Sequence, residues 1–261
     1  MHPKLNIAIK AALKAGDNMI RASKRLDRAE VQTKGTLDFV SNIDKECEEI
    51  IIDTILSAYP DHAILAEESG KQGDSEFVWI VDPIDGTLNY LKGYPHFCVS
   101  IALHANNRAE SAVIYDPFRD ELFTSSRGNG AKLNDTKIRV GNRNSLSNSL
   151  LATGFAVRNT TDFSNQLQTV DDCLSRGADI RRGGSAALDL AYVACGRLDG
   201  FWEFDLHPWD VAAGALIVLE SGGIVVDKLG SENYLNGGSV VAGNPKVVKS
   251  LLGWVKNNPL V

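Results

Sequence analysis

The chain has 261 residues, 44% of them hydrophobic and 23% charged, with a formal net charge of −6 at pH 7. That size and balance suit a soluble globular protein with a large core and exclude disordered and collagen-like chains. An acidic chain without any long Lys/Arg block argues against direct nucleic-acid binding or a membrane surface, and it needs local positive charge if it is to handle an anion.

Residues 4–26 place Leu5, Ile9, Ala12, Gly16, Met19 and Ile20 at helical three/four spacing, which predicts an amphipathic helix. Its beginning, MHPKLNIAIKAALKAG, lacks a signal-peptide core and cleavage pattern, and no apolar run approaches ~18–20 residues, so a cytoplasmic location is expected. Lys24, Arg25 and Arg28 near its end read either as a partner surface or as a solvated helix end. A polar loop is expected over 31–41. A second helical stripe runs from Asn42 to Tyr59, capped by Ser41 or Asn42 and closed by Pro60, which sets Asp44 in its first turn.

Ala63–Ala66 reads as a short strand ending at Glu67 and Glu68. Phe77 to Val81 is apolar, β-branched or aromatic, and predicts a buried strand that stops at Pro83, which has no N–H for a sheet ladder. Strands over 97–104, 110–116, 121–125 and 137–140, with a hairpin turn at Asn134–Asp135, predict an antiparallel sheet. The polar run Asn142–Asn148 is the best boundary and divides the chain into 1–142 and 143–261. Beyond it strands (150–154, 178–181, 199–204, 223–227, 239–242) alternate with helices (162–175, 185–195, 208–221, 245–256), a mixed α/β half. Cys47, Cys98, Cys173 and Cys195 form no CxxC pair and read as free thiols in the core. None of the five histidines has metal spacing.

The chemistry concentrates in WIVDPIDGTLNY, residues 79–90. Asp82 and Asp85 stand three apart where a strand ends, with the Ile84 carbonyl between them, an oxygen-rich set suited to a hard divalent cation. Gly86 and Thr87 open a helical turn whose backbone N–H groups favour a phosphate. The competing reading is an Asx-type turn that caps a short helix. An EF-hand needs Gly at its sixth position, whereas Gly86 is fifth from Asp82. A DxDGT phosphatase motif has one residue fewer between its aspartates.

The segment Trp79–Tyr90 resembles the first signature of the inositol monophosphatase family, DPxDGTxN[FY] after a Trp-containing strand. Trp209, Asp210, Val211 and Ala212, followed by Gly222 and Gly223, resemble its second. The resemblance implies a layered αβαβα sandwich of the sugar-phosphatase type, with an antiparallel sheet in the first half and a mixed sheet in the second. It implies two or three Mg²⁺ held by Glu67, Asp82, the Ile84 carbonyl, Asp85 and Asp210, and a metal-activated water oriented by Asp44 and Thr87, with Glu67 in the same catalytic set. Asp85, Gly86, Thr87, Gly184, Ser185, Ala186, Glu203 and Asp210 would contact substrate, with Arg181 a further contact.

The expected reaction is hydrolysis of inositol 1-phosphate by direct water attack, lithium-sensitive, in a homodimer. Fructose 1,6-bisphosphate, 3′-phosphoadenosine 5′-phosphate and NADP are alternative substrates, and a mainly non-catalytic partner of RNA or transcription machinery is the rival from another class. A twofold interface is expected near 150–205, from the small apolar and aromatic residues at Ala186–Ala194, Phe201, Trp202 and Trp209–Ala215, the alternative being that these residues pack the two halves together within one chain. Ala66 before the acidic pair and Asp205 near the expected pocket mouth depart mildly from the family.

Overall fold

A computed structural model describes residues 3–25, 31–35, 38–156 and 163–257. Helix α1 (Pro3–Ser23) buries Leu5, Ala8, Ala11, Ala12, Ala15, Gly16 and Met19 on one face. Small residues on that face let the helix sit low on the sheet beneath: a Cβ at Gly16 would come 2.4 Å from the Tyr115 ring. The segment expected to be a loop over 31–41 is instead an antiparallel hairpin, β1 (Val31–Gly35) with β2 (Asp38–Ser41), paired backbone to backbone, which side-chain patterning does not reveal. Thr36 and Arg28 lie outside the described residues. β2 runs directly into α2 (Asn42–Leu56), whose N-cap is Ser41.

Helices α1 and α2 cover one face of an eight-stranded sheet. Its strands are β3 (Ala63–Ala66), β4 (Gly70–Gln72), β5 (Phe77–Asp85), β6 (Cys98–Ala105), β7 (Arg108–Asp116), β8 (Glu121–Ser126), β9 (Ala131–Leu133) and β10 (Thr136–Lys137), in the order β10-β9-β8-β7-β6-β5-β3-β4. All neighbours are antiparallel except β3 and β5, so the sheet is mixed by one pair. Asn134 and Asp135 both take positive φ, the backbone that a tight two-residue hairpin between β9 and β10 requires.

The second sheet is β12-β11-β13-β15-β14, from β11 (Leu150–Thr153), β12 (Asp179–Arg181), β13 (Gly200–Glu203), β14 (Ile224–Val226) and β15 (Val240–Gly243). β11 pairs parallel with β12 and β13, and β15 pairs antiparallel with β13 and β14. Helices α5 (Ala186–Ala194) and α6 (Pro208–Glu220) lie between the sheets, while α4 (Ser164–Ser175) and α8 (Pro245–Asn257) pack on the outer side of the second. The short helices α3 (Thr87–Leu91) and α7 (Tyr234–Gly237) complete the fold. The layers therefore run αβαβα. Among the described residues, no helix is long and apolar enough to cross a membrane.

One cluster of buried apolar residues joins Ile80, Ile114 and Phe123 of the first sheet, Phe201 and Ala242 of the second, and the two helices between them. The halves on either side of Asn142–Asn148 thus share a core. This layer also explains the Ala and Gly content of α5 and α6: a Cβ on Gly214 would lie 2.6 Å from Leu190 Cβ, so the helices touch along small residues. The residues expected to form a dimer interface are mostly interior to one chain, including Phe201, Trp202 and most of α5 and α6. Tyr192 and Trp209 alone among them stay partly exposed, so most of this apolar content packs the two halves of one chain together. Cys47, Cys98 and Cys173 are buried free thiols and Cys195 is partly exposed.

Candidate active site

The strand carrying the acidic motif does not stop at Pro83. β5 continues to Asp85, and its register against β6 slips: Asp82 faces Ser100 and Asp85 faces Cys98. Three steps on one strand match two on the other, so one extra residue is accommodated in a bulge, a place where proline's missing N–H costs no ladder bond. The consequence is geometric. In a regular strand residues three apart point to opposite faces. The extra residue restores parity, so Asp82 and Asp85 share the face of Ile80 and Cys98, toward α5 and α6, while Ile84 packs under α1 and α2.

Asp210 comes to the same point from the first turn of α6. Asp82, Asp85 and Asp210 are all buried, and each offers a carboxylate oxygen within 4.8 Å of the others. Their orientations are fixed by backbone and hydroxyl donors. The Ile84 N–H donates to Asp82 Oδ1 at 3.0 Å, and the His207 N–H donates to Asp210 Oδ2 at 2.7 Å. Asp85 Oδ2 accepts from the Ser185 hydroxyl at 2.6 Å and the Ala187 N–H at 2.7 Å, so the first turn of α5 is engaged in holding this carboxylate. Glu67 follows β3, with its N–H bonded to the Val81 carbonyl at 3.2 Å, and its side chain reaches Asp82.

Burial, then Glu67, Asp85 and Asp210, push the Asp82 carboxyl well above its ordinary range. Burial and Asp210 raise Asp85 to about 7, outweighing the donors from Ser185 and Ala187 that favour its ionised form. A purely protein environment thus resists what the donor set is built from: several carboxylates in one dry spot. Oxygen-only ligands converging at this range suit Mg²⁺ or another hard divalent cation, whose charge would make the ionised forms compatible. The residues present fit such an ion.

The cleft over this cluster is lined by Glu67, Asp82, Ile84, Asp85, Gly86 and Thr87 on one side and by Gly184, Ala186, Glu203 and Asp210 on the other. Gly86 needs to be glycine twice over: its φ is 94°, and a Cβ would lie 3.0 Å from the His96 carbonyl oxygen. Three expected contacts fall elsewhere. Asp44 is fully buried and reaches the cleft only through Thr87, whose hydroxyl lies 2.9 Å from Asp44 Oδ1 and 3.1 Å from the Ile84 carbonyl oxygen. Asp44 also closes the capping box of α2, accepting at Oδ2 from the Ser41 N–H at 2.8 Å and hydroxyl at 2.5 Å. Burial raises its pKa despite these donors.

Ser185 is the buried N-cap of α5 and turns to Asp85, away from the cleft. Arg181 bonds Asp179 at 2.9 Å, outside the cleft, and Arg182 takes the place expected of it, since successive residues of an extended segment face opposite ways. Asp205 is exposed, with φ 58°, and does not line the cleft. Asn89, Phe155 and Leu206, none of them marked out by the sequence pattern as a contact, line the cleft as well. Asn89 belonged to the motif and was the one that could have been found.

Glu203 rises from the end of β13, its pKa pushed well up by burial and by Asp189, Asp210 and Asp85, with Arg182 opposing. Its carboxyl lies where a Cβ on Gly154 would be, 2.1 Å from Glu203 Cδ. Gly154→Ala should therefore displace the carboxylate, a flexible chain end, at a cost of about 1–3 kcal/mol for overpacking. Thermal unfolding checks this; a collapse of the fold would show that the backbone, and not the carboxylate, has to yield.

The fold and site together define a five-layer α/β protein with a buried carboxylate cluster, suited to a hard cation, at the seam between its sheets. The inositol monophosphatase family profile matches residues 1–255. The Nus factor SuhB of Escherichia coli strain K12 is 50% identical over 254 residues, covering 97% of this chain and 95% of its own. Among solved structures, the extragenic suppressor protein suhB of Bartonella henselae aligns with a TM-score of 0.93 at 42% identity, covering 96% of this chain and 97% of that one. An inositol monophosphatase from Anabaena aligns with a TM-score of 0.86 at 40% identity, covering 98% of this chain and 96% of that one. The chain belongs to the inositol monophosphatase family, a family of Mg²⁺-dependent phosphatases.

Proposed function

We propose that the protein is a Mg²⁺-dependent phosphomonoesterase that hydrolyses inositol 1-phosphate to inositol and phosphate. The observation that carries this is the convergence of Asp82, Asp85 and Asp210 beside Glu67 at the floor of a cleft whose far wall carries Arg182 and Glu203. Glu67, Asp82, the Ile84 carbonyl, Asp85 and Asp210 would hold Mg²⁺, two or three ions by the family's pattern, which neutralise phosphoryl charge and raise the acidity of water.

The chain's own residues then account for the rest. Thr87 gives its single proton to Asp44, which leaves its lone pairs to accept from a water in the cleft. Asp44, made more basic than a free carboxylate, takes the Thr87 proton while the Thr87 oxygen takes the one this water loses as its oxygen attacks phosphorus; the ester P–O bond breaks and the departing alkoxide takes a proton from solvent water. Glu203 accepts hydroxyl hydrogens of the alcohol, with Gly184 and Ala186 bare enough to let it approach. Lithium inhibition and a cytoplasmic location belong to the same reading, as does a homodimer, whose interface would have to use surface other than the buried α5 and α6.

Phosphate release across a panel of esters, with and without Mg²⁺, tests the proposal. Preference for a polyol monophosphate supports it; a preference for bisphosphates or nucleotides moves the protein to another substrate of the same site; no release from any ester overturns it. Glu203→Ala should weaken discrimination among polyol phosphates by roughly 1.5–3 kcal/mol, the worth of a charge-assisted hydrogen bond, and affect an aryl phosphate little. Equal losses in kcat/KM for both would assign Glu203 to the metal centre or the fold.

The name of the Escherichia coli relative favours a second role, as a partner of transcription machinery. Lys24 and Arg25 are exposed just past α1, as such a surface would need, and Arg28 lies outside the described residues. A pull-down with transcription factors, using Lys24→Glu with Arg25→Glu as the control, separates this role from catalysis.

A further inference from the structure

Behind the cleft wall, residues from both halves close a buried loop of contacts. His96, in the segment between α3 and β6, is 9% exposed, and Asp189, in α5, is 2% exposed. His96 Nε2 lies 3.2 Å from Asp189 Oδ1, across 93 residues of sequence. The His96 ring is fixed on its other side by Tyr192, edge to face at 5.8 Å. Its carbonyl accepts from Asn89 Nδ2 at 2.7 Å, and the same amide nitrogen donates to the Gly183 carbonyl at 2.9 Å, with Gly184 at 3.4 Å.

Gly183 itself is pressed onto the pair. A Cβ there would be 2.4 Å from His96 Nε2 and 2.9 Å from Asp189 Oδ1. The strip Arg182–Gly184 is thus held at its carbonyls by Asn89 and backed by the His96–Asp189 pair, and two of its residues, Arg182 and Gly184, line the cleft. Arg182 is also shared: its charge acts on both Asp189 and Glu203. While His96 satisfies Asp189, the guanidinium is left for the cleft. Without His96 the nearest cation for a buried, unpaired carboxylate is Arg182, and a buried unpaired charge is costly enough to draw it over.

We propose that His96 is a positioning residue for the substrate wall: by donating Nε2–H to Asp189 it keeps Gly184 and Arg182 facing the alcohol part of the ester. It acts through the loop and touches neither metal ligands nor phosphate. The inference rests on the reading above that this wall receives the alcohol, and it adds a residue that the motifs do not contain.

Two variants and two readouts test it. His96→Leu keeps apolar bulk and loses the donor; His96→Gln offers an amide N–H in the place of Nε2. With Mg²⁺, His96→Leu should raise KM for inositol 1-phosphate about tenfold with kcat changed less than about twofold, and leave an aryl phosphate nearly unaffected. Hydrogen exchange should quicken at the amides of 183–188 and stay unchanged in α1 and α2. His96→Gln should restore both. Identical behaviour of the Leu and Gln variants, exchange that rises throughout the chain, or exchange unchanged at 183–188 would overturn the proposal. If the wild type releases phosphate from no ester, the enzymatic reading fails while the exchange result still decides whether His96 holds the loop.

Discussion

Asp85→Asn is expected to lower Mg²⁺-dependent turnover by more than about 100-fold, beyond the roughly 10–100-fold that losing an outer partner of a metal costs, while leaving the metal-free protein at least as stable as the wild type. The two halves of this expectation come from the two sides of one carboxylate. Oδ2 accepts from Ser185 and Ala187, and an amide oxygen can take over both bonds, so α5 keeps its anchor. What disappears is the charge that burial and Asp210 make unfavourable in the absence of a cation. Relief of that repulsion should hold or raise the unfolding temperature without Mg²⁺. Saturating Mg²⁺ should stabilise the wild type by about 2.7 kcal/mol at a hundredfold excess over Kd and the variant far less. Turnover and thermal unfolding at stepped Mg²⁺ measure both. Wild-type turnover at limiting Mg²⁺ would remove Asp85 from the site.

A second large effect is expected in the pH dependence of stability, and its sign depends on the cation. Asp85 titrates at an ordinary 3.8 when unfolded and at about 7 in the folded protein. Between those values the native state keeps a proton that the unfolded chain has lost, so stability of the metal-free protein falls as pH rises through this window. Asp82, Asp44, Asp189 and Glu203 are all shifted in the same direction by burial, and add to the slope. Asp179 and Asp227 are held below their ordinary value, so what they contribute is lost only in more acidic solution. Metal binding requires the ionised carboxylates and expels their protons, so Mg²⁺ should reverse the trend. Unfolding curves in chelator should show a higher midpoint at about pH 5 than at about pH 8 and the opposite order in Mg²⁺. A chelated protein that gains stability toward pH 8 would mean that the carboxylates are not forced together as the geometry requires.

The parts legible in the sequence are those written in local periodicity. The stripe beginning at Leu5 gives α1, the Ser41 cap and the stripe after it give α2, and the alternation beyond Leu150 gives every strand of the second sheet and, apart from the short α7, every helix around it to within a few residues. Metal-site candidates were legible for the same reason, since Asp82, Ile84 and Asp85 are neighbours, and the family signature supplied Asp210. What failed depends on parity or on distance. Arg181 and Arg182 differ by a single residue, yet an extended backbone turns one to Asp179 and the other to the cleft. Ser185 looks like a pocket residue until the fold brings Asp85 to it across a hundred positions. The apolar residues of α5 and α6 exceed what one helix face needs because each helix has a sheet on both sides, a circumstance no local pattern announces. The β1–β2 hairpin escaped because its polar sequence has no alternation to read.

The bulge in β5 gives the acidic motif an unusual grammar. Its meaning lies less in which residues occupy it than in their number, because one added or removed position between Asp82 and Asp85 would turn the second carboxylate to the opposite face, among Ile51, Trp79 and Tyr90 under the outer helices. Point substitutions at Pro83 or Ile84 leave the count intact, and their effects should be graded. Insertions and deletions there have no graded form. Lineages descending from such a chain can therefore vary the residues around the aspartates and exchange one alcohol for another on the far wall, but the spacing itself is inherited whole or the centre is lost.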